Sequence, residues 1–303
     1  MFYTITFSPS IDLLIETDSQ FDRNGLTRYE DSQLLAGGKG INASVILNRL
    51  GFETTAITFM NGSMSNIITE QLKKEKVNLV AIPSENDTRI NIKFNNQINN
   101  FEINGPASII NKDSEDQLIK LIAKMNKDDV VFIMGKSNMV LVESIVKILS
   151  ANSIKFVLDI DSKEVIKLLK YKPFVIKPNV LELATLMEVK IRNEHEIIKH
   201  GNKLIQLGLQ NLLVSCADEG SYFINKNKIL KIETPRLKVV NSSGAGDSML
   251  ATFVAKYIES NNEESSFILG NAAGMATVSS QWLGTSKMID DFATSLEIIK
   301  VRK

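Results

Sequence analysis

Short apolar runs rich in Val, Ile and Phe recur along this chain, and most are separated by a segment of helical periodicity. FYTITF (2–7), TTAITFM (54–60), VNLVAI (77–82), DVVFIM (129–134), KFVLDI (155–160), PFVIK (173–177) and NLLVS (211–215) read as strands. Between them GINASVILNRLG (40–51), closed by Gly51, SNIITEQLKKEK (65–76), VESIVKILS (142–150), a segment near 162–169 and another from about 180 read as helices. Ser114-x-x-Gln117 has the form of a capping box opening the helix DQLIKLIAKM. Strands apolar on both sides and joined by helices predict an α/β fold with a mostly parallel sheet covered on both faces.

Two segments break the rhythm. IDLLIET and LTRYEDSQLL, within 11–35, read as strands with no helix between them. TRINIKF and FEI, within 88–103, read as a hairpin whose turn is the Asn-rich NNQINN. Together they predict a small β layer projecting from the core. From about 246 the pattern is helical through DSMLATFVAKYIES, ESSFILGNAAGMATVSSQW and DDFATSLEIIK. The small residues of GNAAGMA admit either tight helix packing or a flat ligand.

The 35 basic and 35 acidic side chains cancel, so no net field draws nucleic acid or an anionic membrane. Cys216 is the only cysteine, which excludes an intrachain disulfide and suits a cytoplasmic protein. The start MFYTITFSPSID lacks the pattern of a signal peptide, and the apolar runs are too short to span a bilayer. His195 and His200 read as surface residues of a charged helix.

NSSGAGDSMLATF (241–253) carries the strongest chemical signal. Gly244, Ala245 and Gly246 bare the backbone just where a helix begins, and helix N-termini expose unpaired N–H groups and partial positive charge. Asp247 in the first turn would repel a bound phosphate. It makes sense as a base taking a proton from an attacking hydroxyl while the amides hold the transferring phosphoryl. Alone, the stretch reads first as a capped helix after a tight turn, and the chemical reading needs corroboration elsewhere in the chain. LLAGGKGINAS (34–44) again bares backbone before a helix, at Gly37, Gly38 and Gly40, with Lys39 among the glycines and Asn42 one turn in. Its spacing is neither that of a Walker A loop nor that of a dinucleotide fingerprint.

Taken as an ordered pair about 200 residues apart, GGKGINAS and SSGAGDSMLATF resemble the two signatures of the ribokinase-like carbohydrate kinases, in their phosphofructokinase-B branch. PSID (9–12), IKPN (176–179) with Glu182, VSCADEG (214–220) and Gly284-Thr285 are similar to further segments of that branch. The resemblance implies a three-layer core in a single kinase domain over 1–303, with a β-sheet lid formed by about 10–36 and 88–105. It implies ATP and Mg²⁺ as cofactors and a homodimer paired through the lid. Asp247 would be the catalytic base, with Gly244, Ala245 and Gly246 as the anion hole. Asp12, Gly37, Gly38, Lys39 and Asn42 would bind the sugar. Lys177, Asn179, Ser215, Gly220, Gly246 and Asn271 would bind the nucleotide, with Asn179 and Glu182 organising Mg²⁺ and its waters.

In a strand, Arg89, Asn91 and Lys93 share one face and Ile90, Ile92 and Phe94 the other. A polar stripe of that kind suits a sugar phosphate, which guanidinium grips in bidentate fashion, or is simply solvated. TRINIKF followed by FEINGP resembles the 1-phosphofructokinase group, which implies fructose 1-phosphate as substrate. A tagatose-6-phosphate or fructose-6-phosphate kinase, or a non-catalytic sugar-phosphate sensor, are the alternatives. Three positions depart from the branch: Met134-Gly135-Lys136-Ser137-Asn138 replaces its S-G-S-[LV]-P, Ala217 stands for a glycine, and NGPASI lacks a second glycine.

Overall fold

A computed structural model of the chain describes residues 1–16, 25–95 and 100–301. Among these, ten strands form one sheet in the spatial order β14 (Ile299–Val301), β13 (Ile229–Ile232), β12 (Ser221–Asn225), β11 (Asn211–Ser215), β10 (Val175–Ile176), β9 (Lys155–Asp159), β8 (Val130–Met134), β1 (Phe2–Thr6), β4 (Thr54–Met60) and β5 (Asn78–Pro83). From β11 to β5 every pairing is parallel, and β12, β13 and β14 are added antiparallel. The helices are α1 (Lys39–Arg49), α2 (Ser65–Lys74), α3 (Lys112–Ile122), α4 (Met139–Ala151), α5 (Val180–Met187), α6 (Glu194–Gln206), α7 (Ala245–Ser260), α8 (Glu263–Val278) and α9 (Ser286–Ala293).

The apolar runs have no polar alternation because each strand buries both faces. Along β8, Val130, Phe132 and Met134 pack with α1, α7 and α8, and Val131 and Ile133 pack with α3 and α4; all five are buried. Truncating Phe132 to Ala would cost about 3–5 kcal/mol, the range for a filled aromatic site in a core. One helical layer therefore brings α1 and α7 together on the same face of the sheet, and with them the two glycine-rich motifs.

Four strands make the smaller sheet, in the order β3 (Asp31–Gly37), β2 (Ser10–Glu16), β6 (Arg89–Asn95) and β7 (Asn100–Ile103). β2 and β6 run parallel, and β3 and β7 flank them antiparallel. Register places Ile11, Leu13, Leu34, Ile90, Ile92 and Ile103 on one face, and Asp12, Arg89, Asn91 and Lys93 on the other. Thr17, and residues 96–99 of the NNQINN turn, lie outside the described residues.

Four sequence readings are corrected. The cap of α3 is Asn111, whose Oδ1 accepts from Ser114 N at 3.0 Å, while Ser114 Oγ donates to the Pro83 carbonyl. Asparagine caps as well as serine, and the earlier cap adds a turn that begins with Lys112 and brings Asp113 to the positive end of the helix. The C-terminal helix stops at Ala293, and Ile299–Val301 pairs with β13, since β-branched residues beside an open sheet edge satisfy their backbone by pairing. The segment near 162–169 is a 3₁₀ helix, Lys163–Tyr171. His200 is buried, at 6% exposure, because it lies on α6 between Ile197 and Leu204, on the face turned to the sheet.

Candidate active site

The site forms where the carboxyl ends of β1, β8 and β9 meet the amino ends of α1 and α7, the usual place for a ligand crevice in an open α/β sheet. α1 starts from Gly38, whose φ of +123° needs glycine, and α7 from Gly244, at φ +81°. A Cβ on Gly246 would stand 2.7 Å from Lys177 Nζ, so the absence of a side chain lets that ammonium reach the amides of the turn. The helix start thereby combines bare N–H groups with a buried cation.

Asp247 is 7% exposed, and its Oδ2 accepts from Asn42 Nδ2 at 2.8 Å. Burial pushes its carboxyl up to about 6, and the charge of Asp159 adds to this; the Asn42 hydrogen bond, Lys39 and Lys177 pull the other way. Asp159, at the end of β9, is as buried. Burial alone would raise its pKa, but Lys177 and Lys39 outweigh that and hold it below the ordinary carboxylate range. Lys39 Nζ sits 2.9 Å from Asp159 Oδ1, which holds the lysine above its usual value against the pull of burial. Asp159 Oδ2 has Lys177 Nζ at 3.9 Å and no hydrogen-bond partner among the described residues. Two buried acids, the buried Lys177 and the half-buried Lys39 thus form one cluster. Asp159 is the ionised member and Asp247 is poised near neutrality.

Two clefts meet at this cluster. The first, of about 390 Å³, is lined by Thr6, Ser10, Asp12, Gly38, Lys39, Asn42, Arg89, Asn91, Lys93, Lys136, Ser243, Gly244 and Asp247, with Asp161. The second, of about 190 Å³, is lined by Asp159, Asp161, Lys177, Pro178, Asn179, Leu181 and Glu182 among others. The Lys39–Asp159 pair stands between them, Lys39 on one side and Asp159 on the other.

The polar face of the smaller sheet roofs the first cleft. Asp12 is fixed by three donors: Ser10 Oγ at 2.7 Å, Asn91 Nδ2 at 3.0 Å and Lys93 Nζ at 2.7 Å. Lys93 also donates to Ser243 Oγ at 2.6 Å, tying the sheet to the loop before Gly244. Arg89 donates to the Ser8 and Gly105 carbonyls, and its buried Nε has no hydrogen-bond partner among the described residues. Lys136, on the turn after β8, is exposed and makes no ion pair among the described residues. Gly37 packs on Ser10 and Asp12, where a Cβ would collide at 2.5 Å.

In the second cleft Asn179 and Glu182 close a reciprocal capping box at the start of α5, each side chain bonded to the other's backbone N–H at 2.8 Å. Ser215, Gly220 and Asn271 line neither cleft. Gly220 has a conformational reason of its own: φ is +102° and a Cβ would lie 1.9 Å from the Ile232 carbonyl oxygen. Both ends of the Asn271 amide are engaged internally, by Ser221 Oγ and the Phe267 carbonyl. Sequence reading passed over Asp159 and Asp161. The signal was present in KFVLDIDS, since an acid at the end of a fully apolar parallel strand emerges in the crevice.

A model of the pfkB family carbohydrate kinases matches residues 6–289. The chain is 33% identical to the D-tagatose-1-phosphate kinase of Bacillus licheniformis over 98% of its length and 99% of the relative's. It is 30% identical to the 1-phosphofructokinase of Bacillus subtilis over 99% and 100%. Its fold is that of phosphofructokinase-2 from Escherichia coli in complex with substrates and products, with a TM-score of 0.92 over 97% of this chain and 98% of the other, at 22% identity. The chain belongs to the pfkB family of carbohydrate kinases. It is an ATP-using phosphotransferase with an alcohol acceptor, and its substrate is a sugar phosphate. No helix among the described residues is long and apolar enough to cross a membrane.

Proposed function

We propose that the enzyme phosphorylates the C6 hydroxyl of D-fructose 1-phosphate with ATP, giving D-fructose 1,6-bisphosphate and ADP. The observation that carries this reading is the placement of Asp247: a buried carboxylate in the first turn of α7, beside bare amides, in the wall of a cleft roofed by Arg89, Asn91 and Lys93. Asp247 takes the hydroxyl proton as the oxygen bonds to the γ-phosphorus. The bond from that phosphorus to the β–γ bridging oxygen breaks, and ADP leaves with the electron pair. The amides from Gly244 to Gly246 and the Lys177 ammonium meet the negative charge on the transferring group. Asp12, held by its three donors, accepts hydrogen bonds from sugar hydroxyls. The four-stranded sheet acts as a lid, excluding water that would otherwise take the phosphoryl group.

The second cleft suits a magnesium ion. Asp159 Oδ2 accepts no hydrogen bond among the described residues and has Lys177 Nζ no nearer than 3.9 Å, and Asp161 and Glu182 line the same space. A hydrated ion held by Asp159 and, through water, by Asn179 and Glu182 would neutralise the nucleotide's phosphates. The apolar outer face of the lid, with Leu34, Ile90 and Ile103 exposed, is the surface on which two copies pair as a homodimer.

A second reading, D-tagatose 1-phosphate as acceptor, is favoured by the relative of that activity at 33% identity. Initial rates with Mg-ATP on fructose 1-phosphate, tagatose 1-phosphate, tagatose 6-phosphate and fructose 6-phosphate decide. The highest kcat/KM on fructose 1-phosphate supports the proposal. A higher value on either 6-phosphate, the alternatives drawn from the sequence, or on tagatose 1-phosphate replaces it.

A further inference from the structure

Gly284, conspicuous in the sequence only for its place beside Thr285, belongs to a loop that supports the α7 turn. Leu283 Cδ2 lies 2.8 Å from where a Cβ of Gly244 would be, so the loop packs directly under the residue that starts the helix. A hydrogen-bonded chain runs beside that contact. Gly284 N donates to Thr277 Oγ1 at 3.1 Å, Thr277 Oγ1 to Ser248 Oγ at 2.8 Å, and Ser248 Oγ to the Gly244 carbonyl at 2.8 Å. Gly284 also lies so close to α8 that a Cβ would stand 2.5 Å from the Ala276 Cβ. The loop has almost no room to shift without moving the turn.

The other side of this loop is gripped by one side chain. Arg49 Nη1 donates to the Leu283 carbonyl at 2.6 Å and to the Gly284 carbonyl at 3.1 Å. Its Nε and Nη2 donate to the two Glu75 carboxylate oxygens at 2.9 and 2.5 Å. The guanidinium lies 5.4 Å from the Trp282 ring centroid. Bridging two carbonyls and a carboxylate at once requires the planar fork of arginine; a lysine ammonium cannot span them. Arg49 is the last residue of α1, whose first turns carry Lys39 and Asn42. One helix therefore holds the reaction centre at two points, Asn42 on Asp247 and Arg49 on the loop beneath Gly244.

We propose that Arg49, oriented by Glu75, is a positioning residue for phosphoryl transfer. It fixes the 282–284 loop, the loop fixes the +81° turn at Gly244, and the turn sets the aim of the amides from Gly244 to Gly246. This rests on reading those amides as the anion-binding turn. Arg49 lines neither of the two clefts. Its loss affects the rate of transfer and leaves binding of the sugar phosphate alone.

The test is steady-state kinetics of Arg49→Met, Arg49→Lys and Glu75→Gln with each variant's Tm, together with the slow hydrolysis of ATP in the absence of sugar. Arg49→Met should lower kcat by roughly 10-fold or more, since a displacement near 1 Å at a reaction centre can cost about 100-fold. The KM for sugar phosphate and the acid limb of the pH profile should stay at wild-type values. Glu75→Gln, which keeps the carbonyl contacts, should lose less, and Arg49→Lys should fall between. A kcat within twofold of wild type in both Arg49→Met and Glu75→Gln overturns the proposal. So does a raised sugar KM at unchanged kcat, or a lowered Tm with full kcat. Should Arg49→Met fail to fold, Glu75→Gln alone decides, by loss or retention of kcat at wild-type Tm. A wild-type protein that hydrolyses ATP yet phosphorylates none of the four sugar phosphates removes the substrate reading only. The Arg49 effect is then read from the hydrolysis rate.

Discussion

Asn42 Nδ2 donates to Asp247 Oδ2 across 2.8 Å and 205 residues of chain, joining the two glycine-rich motifs in one hydrogen bond. The bond stabilises the carboxylate form of a group that burial drives toward the acid. It therefore keeps Asp247 able to accept a proton near neutral pH, where a group titrating around 6 is an effective base.

Replacing Asp247 by Asn should lower kcat by about 10³-fold or more, the value of a positioned base with electrostatic support, and leave ATP affinity near wild type. The same change should stabilise the fold at pH 8 by up to about 3 kcal/mol, because a rise from 3.8 to about 6 is a cost of holding the ionised form in the folded state. The sign follows from the direction of the shift. The raised folded pKa gives stability that is present below 3.8 and lost as pH rises through 6, so the gain of the Asn variant disappears near pH 4. Kinetics and thermal melts at both pH values check this; near wild-type activity rules out Asp247 as the base.

The acid limb of kcat should fall tenfold per pH unit below about 6, as Asp247 takes up its proton. Asn42→Leu removes the hydrogen bond that lowers this pKa and should move the limb to higher pH. Asp159→Asn removes the negative charge that raises it and frees Lys39 and Lys177, and should move the limb to lower pH. Limbs that move together, or not at all, would break the assignment of the limb to Asp247.

Arg89→Ala and Lys136→Ala should each raise KM for the sugar phosphate by about 10-fold, the scale of one charge-assisted hydrogen bond, with kcat and the KM for ATP nearly unchanged. Of the cations lining the first cleft, Lys93 is paired with Asp12 and Lys39 with Asp159, whereas Arg89 donates only to carbonyls and Lys136 makes no ion pair among the described residues. An unchanged KM in either variant takes that residue out of the phosphate site.

Ala217→Gly should raise Tm by about 1–2 °C. Ala217 sits at φ +52°, where a Cβ costs about 1–2 kcal/mol, and the added freedom of glycine in the unfolded chain returns part of that gain. The residue is exposed and no packing is lost. A lowered Tm would show that the turn is not strained.

The local chemistry of the site was legible in the sequence. Bare amides at Gly244–Gly246, Asp247 one step into a helix, and the alternating faces of Arg89, Asn91 and Lys93 all follow from residues within a few positions of one another, whose geometry is set by backbone periodicity. The α/β alternation was legible for the same reason. The C-terminal strand Ile299–Val301 was not, because its state depends on an open edge at β13 that no nearby residue announces. Nor was His200, whose burial is decided by the sheet beneath α6.

What the amino-acid order determined, then, was the α/β alternation, the glycine-rich helix starts with their bare amides, and the family to which the chain belongs. Tertiary structure decided which charges share a cavity. Asp159 faces Lys39 across 120 residues and lies near Lys177, and that cluster sets the proton affinity of Asp247. Coulomb energy and desolvation depend on distance and dielectric in space, and separation along the chain fixes neither.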